Sequence, residues 1–333
     1  MGAGNIRGNG EPGGLVVSER RIATPFTISP EAQAFLSNPP NIAGGPPPAL
    51  NDKNAWRSYA EAGNAMLTAM VAANAQIFPA EVITHQVSAT QVYEIVPDGA
   101  VTASPDGAIF YIHGGAFVHG WGLAAAHMAM PLASLVGVRA FSVDYRMPPD
   151  HPFPAGLDDT VDTYRWLLER FDPKNIVVVG GSAGGGLAAS FVLKARDLGL
   201  PMPGACVLAT PEADLTESGD TFETNDTIDV VLKHRLPETI ALYANGHDLR
   251  DPYLSPIFGD FTKGFPATML ISGTRDLFLS NTVLLHRALL RAGVEAELHV
   301  WEAMPHGGFF GAPEDGEVLG EQVRYIRKKL EIG

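Results

Sequence analysis

Residues 177–188 read VVVGGSAGGGLA, one serine among five glycines directly after an apolar run. Three structures call for so much bare backbone: a glycine loop around a phosphate, a membrane span, or a tight turn that presents Ser182. A dinucleotide fingerprint needs a glycine straight after the strand and others two and five positions on. Counted from Gly180, the second of these is Ser182, so the pattern fails, and the shifted match Gly184, Gly186, Ala189 falls inside the following helix. No Gly-Lys-Ser/Thr follows, which removes the P-loop. The uncharged run from Ile176 to Leu193 approaches a spanning length, but glycines and serines interrupt it and Asn175 and Lys194 bound it. What fits is G-x-S-x-G over 180–184, set between a predicted strand and a predicted helix. There the turn holds the serine in a strained conformation, and small neighbours let strand and helix approach.

The composition narrows the partners. A chain of 333 residues, 46% hydrophobic and 18% charged, suits one large α/β domain or a domain with a smaller subdomain. The net charge of -14, from 23 basic and 37 acidic residues, excludes nucleic acid as a natural partner, because phosphate binding depends on Lys and Arg. Cys206 is the single cysteine, and its run ACVLAT reads as a buried strand. No Cys/His spacing resembles a zinc site, so neither a metal nor an organic cofactor is expected. The opening MGAGNIRGNGEPGG lacks an apolar signal region, and Ile6 breaks the myristoylation pattern. The expected setting is reducing and cytoplasmic.

Residues 1–50 are rich in Gly and Pro and are expected to be loop-like, with one short helix capped by Ser29 and opened by Pro30. A second helix is expected from about Lys53 to Gln76, after Asn51 and Asp52. Its stripe Ala55, Tyr59, Ala62, Met66, Met70 and Val71 suits core packing or a pocket wall. From about Glu81, strand-like segments appear: EVITHQV, TQVYEIV, AIFYI (108–112), RAFSVDY (139–145), IVVVG (176–180), ACVLAT (205–210), ATMLISG (267–273) and AELHVWE (296–302). Helical patterns at about 155–170, 183–198, 280–292 and 315–330 separate most of them. The alternation argues for a mostly parallel central sheet with helices on both faces. The polar, acidic stretch 212–251, with a helix at 237–246, is too long for an ordinary connection and reads as an inserted subdomain or lid.

A serine attacks only if a base takes its proton, and the oxyanion it creates needs donors. Upstream, AIFYI runs into His113-Gly114-Gly115-Ala116, a turn able to aim backbone N–H groups at one point. Downstream, Asp276 follows ATMLISG and His306 follows AELHVWE, giving the chain order Ser, Asp, His. Glu302 is a rival for the acid, but the position after the penultimate sheet strand favours Asp276.

These segments resemble the α/β-hydrolase fold, and specifically the hormone-sensitive-lipase-like, or bacterial family IV, carboxylesterases. The resemblance runs from about residue 81 to the C-terminus on HGGA at 113, DYRMPPDHPFPA at 144, GGSAGG at 180 and PHGGF at 305. The segment at 144 is close to the family's DYRLAPEHPFPA. The resemblance implies an oxyanion hole formed by Gly114, Gly115 and Ala183, with His113 as a prop for that loop. It also implies a helical cap formed by residues 1–75 and 212–251 over a catalytic core of 76–211 and 252–333. Three departures stand out. Ala116 replaces the third glycine of HGGG, which is compatible provided its backbone does not need positive φ. Gly181 replaces the commoner acidic residue before the serine, and DLFLS at 276 replaces DPLxD.

The expected activity is hydrolysis of short to medium acyl esters through an acyl-enzyme, with Phe117, Trp121, Leu277, Phe278 and Phe309 as candidates for an apolar substrate pocket. SPIFGDF at 255–261 is similar to members described as lactone hydrolases. An amidase or an acyltransferase would use the same three residues. The related plant gibberellin receptors lose the histidine that this chain keeps as His306. The expected partner is a small ester, with no membrane span and a homodimer as the open question.

Overall fold

A computed structural model describes residues 19, 21–39, 45–98 and 106–332. The expectations for 1–18, 40–44 and 99–105 lie outside these. Eight strands, β1 (Ala80–Val87), β2 (Thr90–Pro97), β3 (Ala108–Ile112), β4 (Arg139–Asp144), β5 (Ile176–Gly181), β6 (Ala205–Ala209), β7 (Ala267–Gly273) and β8 (Ala296–Trp301), form one sheet in the order β1-β2-β4-β3-β5-β6-β7-β8. β1 and β2 run antiparallel to their neighbours, and β4 through β8 pair in parallel. Parallel strands buried on both faces must be apolar in both phases. Phe110, Val178, Cys206, Leu208 and Leu270 therefore face one core, while Ile109, Val177, Val179, Val207 and Met269 face another. Cys206 is fully buried, as its sequence context predicts, and burial pushes its thiol far above the ordinary range.

The helices are α1 (Pro30–Ser37), α2 (Lys53–Val71), α3 (Asn74–Ile77), α4 (Leu123–Val136), α5 (Ala155–Leu168), α6 (Ala183–Asp197), α7 (Thr221–Thr224), α8 (Pro237–Ala244), α9 (Leu279–Arg291) and α10 (Pro313–Lys329). Helices α5, α6 and α9 cover the first core, and α4 and α10 the second. The run that forms α4 carries Pro131 and is apolar nearly all round, so it offers no amphipathic stripe to read, and the sequence expectation passed over it.

The capping expectations hold in detail. Ser29 Oγ accepts from Ala32 N at 3.1 Å while donating to Glu314 Oε2 at 2.7 Å, which pins α1 to α10. Asp52 caps α2, which ends at Val71 rather than Gln76, with α3 as a separate turn. The expected stripe is corrected as well: the buried residues of α2 are Trp56 and Ala60, whereas Ala62 and Met70 are exposed. The large indole, anchored by Nε1 donating to Ala49 O at 3.1 Å, sets which face turns inward.

The start of α6 is one of the tightest points of the fold. A Cβ added at Gly184 would lie 2.2 Å from Ile112 O and 2.3 Å from His113 O, whereas one at Gly181 would meet nothing nearer than Ala209 O at 3.8 Å. Gly184→Ala is therefore expected to cost about 3 kcal/mol of stability by overpacking. Gly181→Ala should stay within about 0.5 kcal/mol. Urea denaturation of the two variants, side by side, checks the contrast.

Candidate active site

The parallel strands deliver their C-terminal ends to one edge of the sheet, and four of the connecting turns supply the site. After β5 the chain turns sharply at Ser182, with φ 55° and ψ -128°, a conformation that non-glycine residues seldom adopt. Backbone bonds hold the turn in place, Ser182 N donating to Ala209 O at 2.9 Å and Glu212 N to Ser182 O at 3.0 Å. Asp276 follows β7 and His306 follows β8. His306 Nε2 lies 2.9 Å from Ser182 Oγ, and His306 Nδ1 lies 3.0 Å from Asp276 Oδ1. Asp276 also accepts from Ser272 Oγ at 2.6 Å and from Phe278 N at 2.9 Å, so its carboxylate is aimed as well as charged.

Burial by itself pushes the His306 imidazole below its ordinary range, but the charge and hydrogen bond of Asp276, helped by Asp229 and Glu212, outweigh it. The net shift is upward. The arrangement can therefore take a proton from Ser182, hold the resulting imidazolium, and give the proton back.

The loop after β3 packs against this turn: a Cβ on Gly114 would meet Gly181 O at 2.8 Å and Ser182 Cβ at 3.2 Å. Among the described residues, the backbone N–H groups of Gly114, Gly115 and Ala183 make no backbone hydrogen bond, which leaves three donors in the turns around Ser182. His113 is fully buried and its ring stacks on Tyr145 at 4.2 Å and 14°. Its Nδ1 donates to Gly114 O at 2.8 Å, and burial lowers its pKa, so the ring is a neutral prop.

The segment DYRMPPDHPFPA is the scaffold for this loop. Tyr145 donates to His113 O at 3.0 Å, Asp144 accepts from Gly122 N at 3.1 Å, and Arg146 forms a fork with the buried Asp159. From the other side, Asn64 of α2 accepts from Gly120 N at 2.7 Å.

The five aromatic and apolar pocket candidates divide. Phe278 meets His306 edge-on at 4.9 Å, and Leu277 is buried beside it with Phe222. Phe117 is stacked on Tyr243 of α8 at 3.8 Å and 4°. Trp121 lines a separate cleft of about 370 Å³ with Arg57, Asp144 and Arg146. Phe309 points away, packing edge-on against Phe35 of α1 at 6.1 Å.

Two acids escaped the sequence reading. Asp229, fully buried in the β6–β7 connection, accepts from Leu277 N at 2.8 Å and His306 N at 3.1 Å with one oxygen. Its other oxygen accepts from Val231 N at 2.9 Å and Leu232 N at 3.0 Å. It thus ties the loops of Asp276 and His306 together, and burial pushes its carboxyl up to about 6. Asp229, Asp276 and His306 cluster as cation ligands do, yet hydrogen bonds already occupy their facing atoms, a pattern that suits orientation rather than ligation. Glu212 is the second acid, buried with both carboxyl oxygens unpartnered. The signal for each was present: a lone acid in the apolar run TIDVV, and one directly after an apolar strand in TPEADL.

The sequence profile of a family described as alpha/beta hydrolase fold matches residues 109–310. An acetyl-hydrolase of Streptomyces hygroscopicus is 34% identical over 200 residues, covering 60% of this chain and 67% of that protein. Carboxylesterase NlhH of Mycobacterium tuberculosis is 32% identical over 239 residues, covering 67% of this chain and 73% of its own. Among solved structures, esterase E25 superposes with a TM-score of 0.85 at 33% identity, covering 95% of this chain and 98% of that one. An esterase from the bacterial hormone-sensitive lipase family superposes with a TM-score of 0.76 at 29% identity, covering 91% and 99%.

Ala116 departs from the condition set for it. Its φ is 50°, so a Cβ sits where HGGG would place a glycine. Relieving a left-handed alanine returns ~1–2 kcal/mol, and the looser unfolded chain of glycine takes back ~0.5–1 kcal/mol. Ala116→Gly should therefore raise stability by about 0.5–1 kcal/mol, readable as a higher urea midpoint at unchanged slope.

Proposed function

Because the chain belongs to the α/β-hydrolase family, in its hormone-sensitive-lipase-like branch, and is a carboxylic ester hydrolase, we propose that it works as a serine carboxylesterase on short to medium acyl esters. The observation that carries this reading is the unbroken line Asp276, His306, Ser182, with contacts of 3.0 and 2.9 Å. His306 takes the proton of Ser182 as its oxygen attacks the ester carbonyl, and Asp276 holds the imidazole tautomer. Gly114, Gly115 and Ala183 offer their N–H groups to the oxyanion, each such donor being worth roughly 3 kcal/mol in the transition state. His306 then protonates the leaving alcohol, and later activates the water that releases the acid from Ser182.

Helices α1 and α2 with the insertion 212–251 form the cap in this reading, since both segments lean on the loops that carry the site, through Asn64 and Asp229 respectively. A cap closing on an aromatic-walled site favours compact acyl groups over long triglyceride chains. Lactone and amide hydrolysis by the same three residues are the other outcomes that a substrate panel resolves.

Among the described residues no helix is long and apolar enough to cross a membrane. A cytoplasmic home and a homodimer complete the proposal. For the dimer, β8 offers an open sheet edge with Val300 exposed, and sedimentation velocity reads the stoichiometry.

On para-nitrophenyl esters graded from acetate to palmitate, turnover should peak at short chains. Ser182→Ala should lower kcat by about 10⁵–10⁶-fold. Asp276→Asn should lower it by about 10⁴-fold. Since the base works unprotonated and its pKa lies above the ordinary histidine value, kcat/KM should fall with acid from a midpoint above 6.5. In Asp276→Asn that midpoint should move down, because the anion that raises it is gone. An acid limb unmoved by the substitution would count against the assignment of His306 and Asp276.

A further inference from the structure

Between β3 and α4 the chain runs through a loop whose shape it would not adopt unaided. Gly115, Ala116, Phe117, Gly120 and Gly122 all have φ between 50° and 122°. The loop closes on Gly115, whose carbonyl accepts from Val118 N at 3.0 Å and from His119 N at 2.8 Å, and a Cβ on Gly115 would lie 2.2 Å from His119 O. Such a conformation persists only where its neighbours over-determine it, and one of those neighbours is α2.

The helix meets the loop closely. Tyr59 packs on the His119 ring at 5.6 Å, and the same ring fills the place of a side chain on Gly63, 2.4 Å from where its Cβ would be. The next residue, Asn64, uses both ends of its amide on the loop: Oδ1 accepts from Gly120 N at 2.7 Å and Nδ2 donates to Trp121 O at 3.4 Å. A backbone N–H can only donate, so the atom facing Gly120 is the amide oxygen. Asparagine is a poor helix former, and here at mid-helix its amide serves the loop rather than its own turn.

Gly120 in turn abuts the oxyanion motif. A Cβ on it would lie 2.5 Å from Gly114 O and 2.5 Å from His113 Nδ1, and that ring nitrogen donates to Gly114 O at 2.8 Å. The Gly114 carbonyl is thus held by the ring and by the backbone of Gly120 together. The peptide joining Gly114 to Gly115 is planar and trans, so a carbonyl fixed on one side aims the Gly115 N–H to the other. Resting on the serine-esterase reading above, we propose that Asn64 is a positioning residue for ester hydrolysis: by holding Gly120 against Gly114 O, it aims the Gly115 N–H at the oxyanion. In this way α2, a covering helix remote in sequence, completes the oxyanion hole from behind without touching the substrate.

The test measures kcat and KM for para-nitrophenyl butanoate, and inhibition by 1,1,1-trifluoroheptan-2-one, whose adduct with Ser182 places an anionic oxygen in the hole. In Asn64→Ala, kcat and kcat/KM should fall together by about 10–100-fold, since a donor is misaimed rather than removed, and KM should stay near native. The ketone should weaken by a similar factor. Asn64→Asp keeps the acceptor for Gly120 N and should recover most of the lost kcat. Thr68→Ala loses the 2.7 Å bond from Thr68 Oγ1 to Asn64 O, one turn along the same helix, and should keep the native kcat. Alanine favours the helix, and Asn64→Ser, whose hydroxyl stops short of Gly120 N, repeats the comparison in a second background.

A folded Asn64→Ala with the native kcat and only a lower urea midpoint would overturn the proposal, leaving Asn64 a purely structural contact. So would a change confined to KM, or a loss of equal size in Asn64→Asp or in Thr68→Ala. Ser182→Ala on the same ester separates the two levels. Turnover surviving in it sinks the serine reading itself, whereas turnover abolished together with a native kcat in Asn64→Ala removes the role of Asn64 alone.

Discussion

Everything at this site depends on how closely three pieces of backbone approach one another. The end of β3, the turn after β5 and the first turn of α6 meet with no room for a side chain at Gly184 and little at Gly114. That contact sets the loop at Gly114 against the turn at Ser182, whose φ of 55° lies in the left-handed region. A hydroxyl held there needs no reorganisation to meet a base, and donors fixed before the reaction act at full strength. The wider sheet, with two apolar cores pressing on it from both faces, is the rigid frame that makes so tight a junction tolerable.

Charge management follows from the same crowding. The junction buries Asp276, Asp229 and Glu212 within one neighbourhood, and burial pushes the carboxyls of Asp229 and Glu212 upward. The chain resolves the conflict differently for each acid. Asp276 has a hydroxyl, a backbone N–H and an imidazole, so it stays available as the partner of His306. Asp229 is wrapped by four N–H groups and acts as a strut between two catalytic loops. Glu212, among the described residues, finds no hydrogen-bond partner for either carboxyl oxygen.

The two helical segments outside the regular alternation of strands and helices reach the site through polar side chains as well as apolar contacts such as Phe222 with Leu277 and Phe278, and Tyr243 with Phe117. Asn64 reaches the loop after the oxyanion motif, and Asp229 reaches the base and acid loops.

Much of this was legible in the order of residues. Strand and helix alternation, the small residues around Ser182, and the positions of Asp276 and His306 after late strands are local patterns, and local patterns are what periodicity and spacing encode. The caps at Ser29 and Asp52 were legible for the same reason, each being a contact between residues three apart. Helix α4 was not, because an element apolar on all sides carries no phase, and α2 turned its indole rather than its methionines inward. The positive φ of Ala116, the strut at Asp229 and the unpartnered carboxyl of Glu212 were decided by tertiary structure alone. Asp229 meets Leu277 and His306 across 48 and 77 residues, and nothing in a linear sequence states which buried acids will find hydrogen-bond partners in the folded chain and which will not.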